Sequence, residues 1–283
     1  MIASHIDPGG ERAAPSDRRS REKRDVRAKT GLLILGASLL ACGNALAQRA
    51  TTVADSTMFS GVVELFTAQG CSSCPPADAL FAEFSRKENL VTLAYHVDYW
   101  DYIGWRDTFA SPQTTDRQRD YAKAFKTATV YTPQAVVNGR RQVVGSKRKK
   151  IEDALASTHL GSVAEAPRLQ LEIIGDRLHI RADGAAARSG QNTLLILATY
   201  EEEVKVAVKH GENAGRTLLN SHPVRDWRVL GMWAGKPMEI DIPIVSLVDD
   251  DGGKTGCAAL LQEVGPAGAP GPIVAAVALS LLK

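Results

Sequence analysis

Cys71-Ser72-Ser73-Cys74 is the most chemically specific stretch of this chain. Two cysteines separated by two residues can close a small disulfide ring. The pair follows a β-rich run, Val62-Val63-Glu64-Leu65-Phe66, and precedes residues 77–84, where Leu80, Phe81 and Phe84 fall on one helical side. At a helix start, free backbone amides and the helix dipole stabilise charge on sulfur. Cys71 is therefore expected to be the attacking thiolate and Cys74 the resolving one. Pro75 and Pro76 come next, where proline loses no intrahelical hydrogen bond. Half a zinc site would look the same, but no second cysteine pair exists to complete it, and no metal or other cofactor is expected.

Other candidates lie further along. His96 closes the next strand-like run, residues 90–97, where it could serve as a base or a ligand. The commoner role of a lone histidine is a hydrogen-bonded structural one. Asp98, Tyr99, Trp100, Asp101 and Trp105 follow, either lining a recognition groove beside the cysteines or closing an insertion over the sheet. Thr132-Pro133 immediately precedes another strand. Cys257, beside Ala258-Ala259-Leu260-Leu261, reads as a small buried hydrophobe, not a reactive thiol. Lys147-Arg148-Lys149-Lys150 opens a short helix and cannot share one face, so it reads as a solvated helix start and not a nucleic-acid contact. His210 and His222 have no ligand spacing, and Gly211-Glu212-Asn213-Ala214-Gly215-Arg216 reads as a β-turn loop, with an anion-holding turn as the alternative.

The elements that must position these residues run strand, helix, strand, helical insertion over residues 98–128, hairpin, helix. The hairpin joins residues 134–137 and 142–144 across Asn138-Gly139, and Ser146 is expected to cap the last helix, with Ile151 and Leu155 facing inward. This order implies a domain at 57–158 with a mixed sheet. A linker at 159–167 leads to a β-rich, sandwich-like domain at 168–283, read from alternating runs such as Leu169-Gln170-Leu171-Glu172-Ile173 and residues 194–200.

The Cys71–Cys74 motif, Tyr131-Thr132-Pro133-Gln134 and Val136-Val137-Asn138-Gly139 together resemble the thioredoxin superfamily, including periplasmic disulfide oxidoreductases. More closely, Val63-Glu64-Leu65-Phe66-Thr67, His96-Val97-Asp98-Tyr99-Trp100-Asp101 and Gly104-Trp105 resemble a family of secreted bacterial thioredoxin-like proteins of unknown function, over most of the mature chain. The resemblance implies an α/β thioredoxin-like domain and a cis bond at Thr132–Pro133 against the cysteine pair. Glu64 is implied to approximate the buried acid that helps deprotonate a resolving cysteine, although one extra residue separates its strand from Cys71. Glu64 facing solvent at a strand edge is the other reading. Ser72-Ser73 departs from the usual residues between such cysteines, so no redox potential carries over.

At 283 residues and 44% hydrophobic, the chain can bury ordinary cores in about two domains. Its net charge of +2 resides near the start, since eight Lys/Arg and five Asp/Glu lie in the first 29 residues and 26 basic against 27 acidic groups remain. A charged stretch at 18–29, an apolar one at 31–41 and Ala45-Leu46-Ala47 read as a signal peptide over 1–47, hence a periplasmic or secreted protein. The apolar run is too short for a membrane span of about 20 residues. Leu39-Leu40-Ala41-Cys42 matches a lipoprotein-type site, which would anchor the chain at Cys42; Arg18-Arg19 lacks the residues of a twin-arginine signal.

The expected function is thiol-disulfide oxidoreduction on a thiol- or disulfide-bearing protein or small molecule. The alternatives are a copper carrier using Cys71, Cys74 and His96, which the scarcity of methionine (four) disfavours, and a non-catalytic binding module.

Overall fold

The computed structural model describes residues 52–160, 167–184, 192–248 and 254–281. The expected leader, Cys42 and most of the expected linker lie outside them. The described residues belong to one compact unit.

In chain order the strands and helices are β1 (Thr52–Asp55), β2 (Gly61–Thr67), α1 (Pro75–Ser85), β3 (Leu90–His96), α2 (Pro112–Ala124), β4 (Gln134–Val137), β5 (Arg141–Val144) and α3 (Arg148–Ser157). Then come β6 (Arg168–Ile174), β7 (Arg177–Asp183), β8 (Thr193–Glu201), β9 (Glu203–Ala207), β10 (Thr217–Ser221), β11 (Val224–Trp233), β12 (Met238–Pro243), β13 (Thr255–Val264) and β14 (Pro270–Ser280). They build four sheets, ordered β3-β2-β4-β5, β1-β6-β7-β12, β11-β8-β13-β14 and β9-β10.

The expected α/β thioredoxin-like fold followed by a sandwich-like domain is corrected by this architecture. Strand accounts for 46% of the described residues and helix for 23%, spread over small sheets with few helices. The sheet β3-β2-β4-β5 is mixed, with β2 parallel to β3 and antiparallel to β4, but it is one sheet of four and not the centre of an α/β fold. The physical reason lies in what covers it. Val63 and Leu65 of β2 face Ala77, Leu80, Phe81 and Phe84 of α1 and Ile151 and Ala154 of α3. Val62 and Phe66, on the opposite face, pack with Tyr121 of α2 and with Ile196, Ala198, Leu260 and Ala276 of β8, β13 and β14. That face is closed largely by another sheet. Both faces being covered explains why every residue of β2 and β3 is buried.

The sheet β11-β8-β13-β14 thus works on both sides. Its other face, with Leu195, Leu197, Ala259, Leu261 and Val277, meets Leu169, Leu171, Leu178 and Ile180 of β6 and β7 in a second core.

Local rules account for the smaller features. Ser111 and Thr114 form a reciprocal cap at the start of α2, with Pro112 in its first turn. Asn138 and Gly139 turn β4 into β5 with φ of 52° and 62°. Ser146 does not cap α3, which starts one residue later than expected, after Lys147 and without a side-chain cap. No helix among the described residues is long and apolar enough to cross a membrane.

Candidate active site

β2 ends at Thr67, and a tight turn delivers Cys71 and Cys74, which are joined as a disulfide. Cys74 is the N-cap of α1, and its carbonyl accepts from the amides of Ala77 (2.8 Å) and Asp78 (3.0 Å). The backbone donors expected at this helix start are depleted. Pro75 and Pro76 have no N–H, and the Ser72 amide is given to Glu212 at 3.2 Å. Hydroxyls take their place around Cys71. Thr132 Oγ1 donates to Cys71 Sγ at 3.3 Å, and the Ser73 hydroxyl lies 3.3 Å from the same sulfur. Trp100 Nε1 donates to Thr132 Oγ1 at 2.8 Å, which fills a lone pair and leaves the hydroxyl hydrogen to point at sulfur. The Thr132–Pro133 bond is cis.

His96 stands at the end of β3, next to β2. It is 2% exposed, and its Nδ1 pairs with Asp107 Oδ2 at 2.8 Å. Asp107 also accepts from the amides of Gln69 (2.6 Å) and Phe109 (2.9 Å), so it braces the turn that carries Cys71. Burial alone would depress His96, but the Asp107 carboxylate, with a smaller pull from Asp78, raises it above its usual 6.5. Burial would likewise raise Asp107; the His96 charge and the two amides outweigh it and hold the carboxyl below 3.8. Among the described residues no three His, Cys, Asp or Glu side chains gather where they could hold a metal ion. His96 is the partner of Asp107.

Glu64 is fully buried, which removes the solvent-facing reading. Its carboxylate is taken up by Arg117 (Nε 2.9 Å, Nη2 2.5 Å) and by the Tyr121 hydroxyl, a group that burial and then Glu64 hold far above its usual titration. Burial opposes charge on Arg117, and Glu64 more than restores it. The acid nearest the cysteines in sequence is instead Asp78, in the first turn of α1. Its carboxyl turns onto the Thr67 hydroxyl at 2.7 Å. Burial pushes its pKa up to about 6, against the pull of Thr67 and His96. Sequence reasoning passed over Asp78, although an acid one turn after a C-x-x-C pair was there to be noticed.

The aromatic insertion braces the site. Asp98 holds the Thr115 hydroxyl at 2.6 Å, and Trp105 Nε1 donates to Gln69 Oε1 at 2.9 Å. Tyr102, between them, is 82% exposed. Cys257 is wholly buried in β13, where burial pushes its thiol up to about 12. Two further residues reach the cysteine turn from the loop between β9 and β10, namely Glu212 and Asn213.

With this geometry in view, residues 62–262 match the family described as protein of unknown function, DUF1223. The chain belongs to the DUF1223 family. The matched span takes in the cysteine pair, Thr132, the His96–Asp107 pair and the β9–β10 loop. A DUF1223 chain of this kind is similar to a protein of Agrobacterium tumefaciens solved by X-ray crystallography, with 35% identity over 77% of this chain and 93% of that one and a TM-score of 0.65. It also shares fold with HBP35 of Porphyromonas gingivalis, at 16% identity over 78% of this chain and 76% of that one, with a TM-score of 0.51. No curated protein matches it.

Proposed function

We propose that this DUF1223 protein is an extracytoplasmic thiol-disulfide oxidoreductase acting through Cys71 and Cys74. One observation carries the reading: two hydroxyls, Thr132 and Ser73, converge on Cys71 Sγ. A disulfide sulfur is a weak acceptor, so the Thr132 donor matters most after reduction, when it stabilises a thiolate and the Ser73 hydroxyl can turn to it from the Thr132 carbonyl. Cys74, the N-cap of α1, is the resolving group.

In the oxidising direction a partner thiolate attacks Cys71 Sγ, the Cys71–Cys74 bond breaks, and Cys74 leaves as a thiolate that takes up a proton. A second partner thiolate then attacks the partner's own sulfur in the mixed disulfide and expels Cys71. Two electrons end on the cysteine pair, and the partner departs with a disulfide. The reverse sequence reduces a partner, and the direction follows from the relative reduction potentials. The leader-like residues 18–47 support an oxidising compartment, where such a pair persists.

The test is trapping. Cys74→Ser should accumulate a mixed disulfide with a cysteine peptide through Cys71, and Cys71→Ser should not. In reduced Cys74→Ser protein the Cys71 thiol should ionise below its ordinary value of about 8.5, and Thr132→Val should move it upward by about one unit. A Cys71 that forms no mixed disulfide, or whose ionisation ignores Thr132, removes the reading.

A further inference from the structure

Exchange requires a sulfur to approach Cys71 along the disulfide axis, yet Cys71 and Cys74 are each 0% exposed. The backbone of the cysteine turn is held from a segment 140 residues further along the chain. β9 and β10 pair only with each other, and the tip of their hairpin, residues 208–216, reaches the cysteine turn. Asn213, itself 0% exposed, donates its side-chain amide to Gln69 O and to Cys71 O, both at 2.9 Å. Its Oδ1 accepts from Arg216 at 2.8 Å, while Glu212 accepts from the Ser72 amide at 3.2 Å. Gly211, at φ +79°, lies so close to the aromatic insertion that a Cβ would come within 3.1 Å of Ile103 Cδ1. The tip holds its own shape through Gly215 N to Val208 O (2.9 Å) and Arg216 N to Asn213 O (3.1 Å).

We infer that residues 208–216 are a strap across the exchange site and that Asn213 is its specificity-determining residue: Asn213 must leave Gln69 O and Cys71 O before a partner sulfur reaches Cys71. The partner class follows from what the strap leaves behind. Lifting it takes the Asn213 amide from two buried carbonyls, Gln69 O and Cys71 O, which is unfavourable unless the incoming molecule supplies donors in its place, whereas the Ser72 amide, at an exposed position, can turn to water. An extended polypeptide segment flanking a cysteine carries N–H and C=O groups for the purpose, and a small thiol without them does not. β10 is seated against α1, with Leu218 buried, so the part suited to opening is the tip, which the bonds of Glu212 and Asn213 hold to the cysteine turn.

The substrate class rests on the proposed exchange activity, whereas the strap itself is a statement about access. The two are separated by measuring reduction of Cys71–Cys74 in the full chain by excess dithiothreitol, which gives two electrons to the pair and becomes its own cyclic disulfide. Asn213→Ala and the near-isosteric Asn213→Asp should be reduced about tenfold faster than wild type, and Glu212→Ala, at an exposed position that does not endanger folding, about threefold faster. A cysteine-containing decapeptide should react faster than 3-mercaptopropionate, which has no N–H, with wild type, and that preference should collapse in Asn213→Ala. Rates within twofold of wild type in the Glu212 variant and in whichever Asn213 variant folds would overturn the strap, even if the wild-type protein exchanges disulfides. Faster dithiothreitol reduction in a protein that never exchanges with peptide would leave the strap standing and remove the oxidoreductase reading. Equal rates for peptide and 3-mercaptopropionate in wild type would overturn the partner class.

Discussion

Asp78 is held in the protein with a carboxyl that prefers to be neutral. Burial raises it from 3.8 to about 6, with the Thr67 hydroxyl and His96 pulling the other way and Asp107 adding to the rise. The folded state therefore binds this proton more tightly than the unfolded chain. Its contribution is present below pH 4 and is lost as pH rises through 6, which is opposite to the usual carboxylate. Asp78→Asn keeps an acceptor for Thr67 and removes the charge. The variant should be more stable than wild type by about 1–2 kcal/mol at pH 7.5, a figure reduced for partial exposure of the residue, and the gain should vanish near pH 4. Urea unfolding of both proteins at the two pH values checks this, and an Asp78→Asn protein no more stable than wild type at pH 7.5 rules it out. At this scale the sequence was informative where chemistry depends on neighbours in the chain. Cys71 and Cys74, three apart before a proline pair, announce a disulfide. The state of Asp78 depends on Thr67 and His96 being folded over it, and the occupation of Glu64 by Arg117 depends on a helix 53 residues away.

The Asn138-Gly139 turn is an element whose function exceeds its sequence signal. The dipeptide identifies a hairpin because both residues take positive φ, and β4 and β5 form there as expected. The pattern does not reveal that Asn138 is also a latch. Its Oδ1 accepts from Val62 N at 2.6 Å, its Nδ2 donates to the carbonyl and hydroxyl of Thr158, and its own carbonyl accepts from Ile273 N at 2.9 Å. One turn residue thus ties β2, the end of α3 and β14. Asn138→Ala strands a buried amide and a buried carbonyl and puts a Cβ residue without compensating bonds in the left-handed region. The expected loss is about 3–5 kcal/mol; Asn138→Gly, which relieves the backbone but restores no bond, should recover about 1 kcal/mol of it. Guanidinium unfolding reads both, and equal stability of the Ala and wild-type proteins would show that the latch contributes nothing. β13 shows the limit of the alternation rule from the other side. Cys257-Ala258-Ala259-Leu260-Leu261 is buried on both faces, so it lacks the alternation that identified β6.

Over the whole molecule, the mixed sheet and the sheet β11-β8-β13-β14 share one core, and a buried polar network is set into that joint. Arg117 of α2 binds Glu64 of β2, reaches Gln262 Oε1 of β13 at 3.1 Å, and lies about 5 Å from the rings of Tyr95, Tyr121 and Trp227. Gln262 closes the circuit by donating to the Tyr121 hydroxyl at 2.8 Å. No sequence pattern announces such a contact, because Arg117 and Gln262 are 145 residues apart and each alone looks like a misplaced polar residue. A cation at this joint couples the stability of the regions it touches. Arg117→Met leaves Glu64 buried without its partner and should cost about 3–5 kcal/mol, while the double variant Arg117→Met/Glu64→Gln, which removes the stranded charge, should recover more than half of that. Because the loss is felt on both sides of the joint, two probes should move together in the single variant. One is alkylation of Cys257, buried in β13 and reached only on unfolding. The other is the fluorescence change as Trp100, which follows β3 and bonds Thr132 just before β4, leaves the mixed-sheet side. Coincident transitions at a lower denaturant midpoint are expected. Transitions that separate, with Cys257 protected after the joint has opened, would mean that the two sheets unfold independently and that Arg117 serves only its own side.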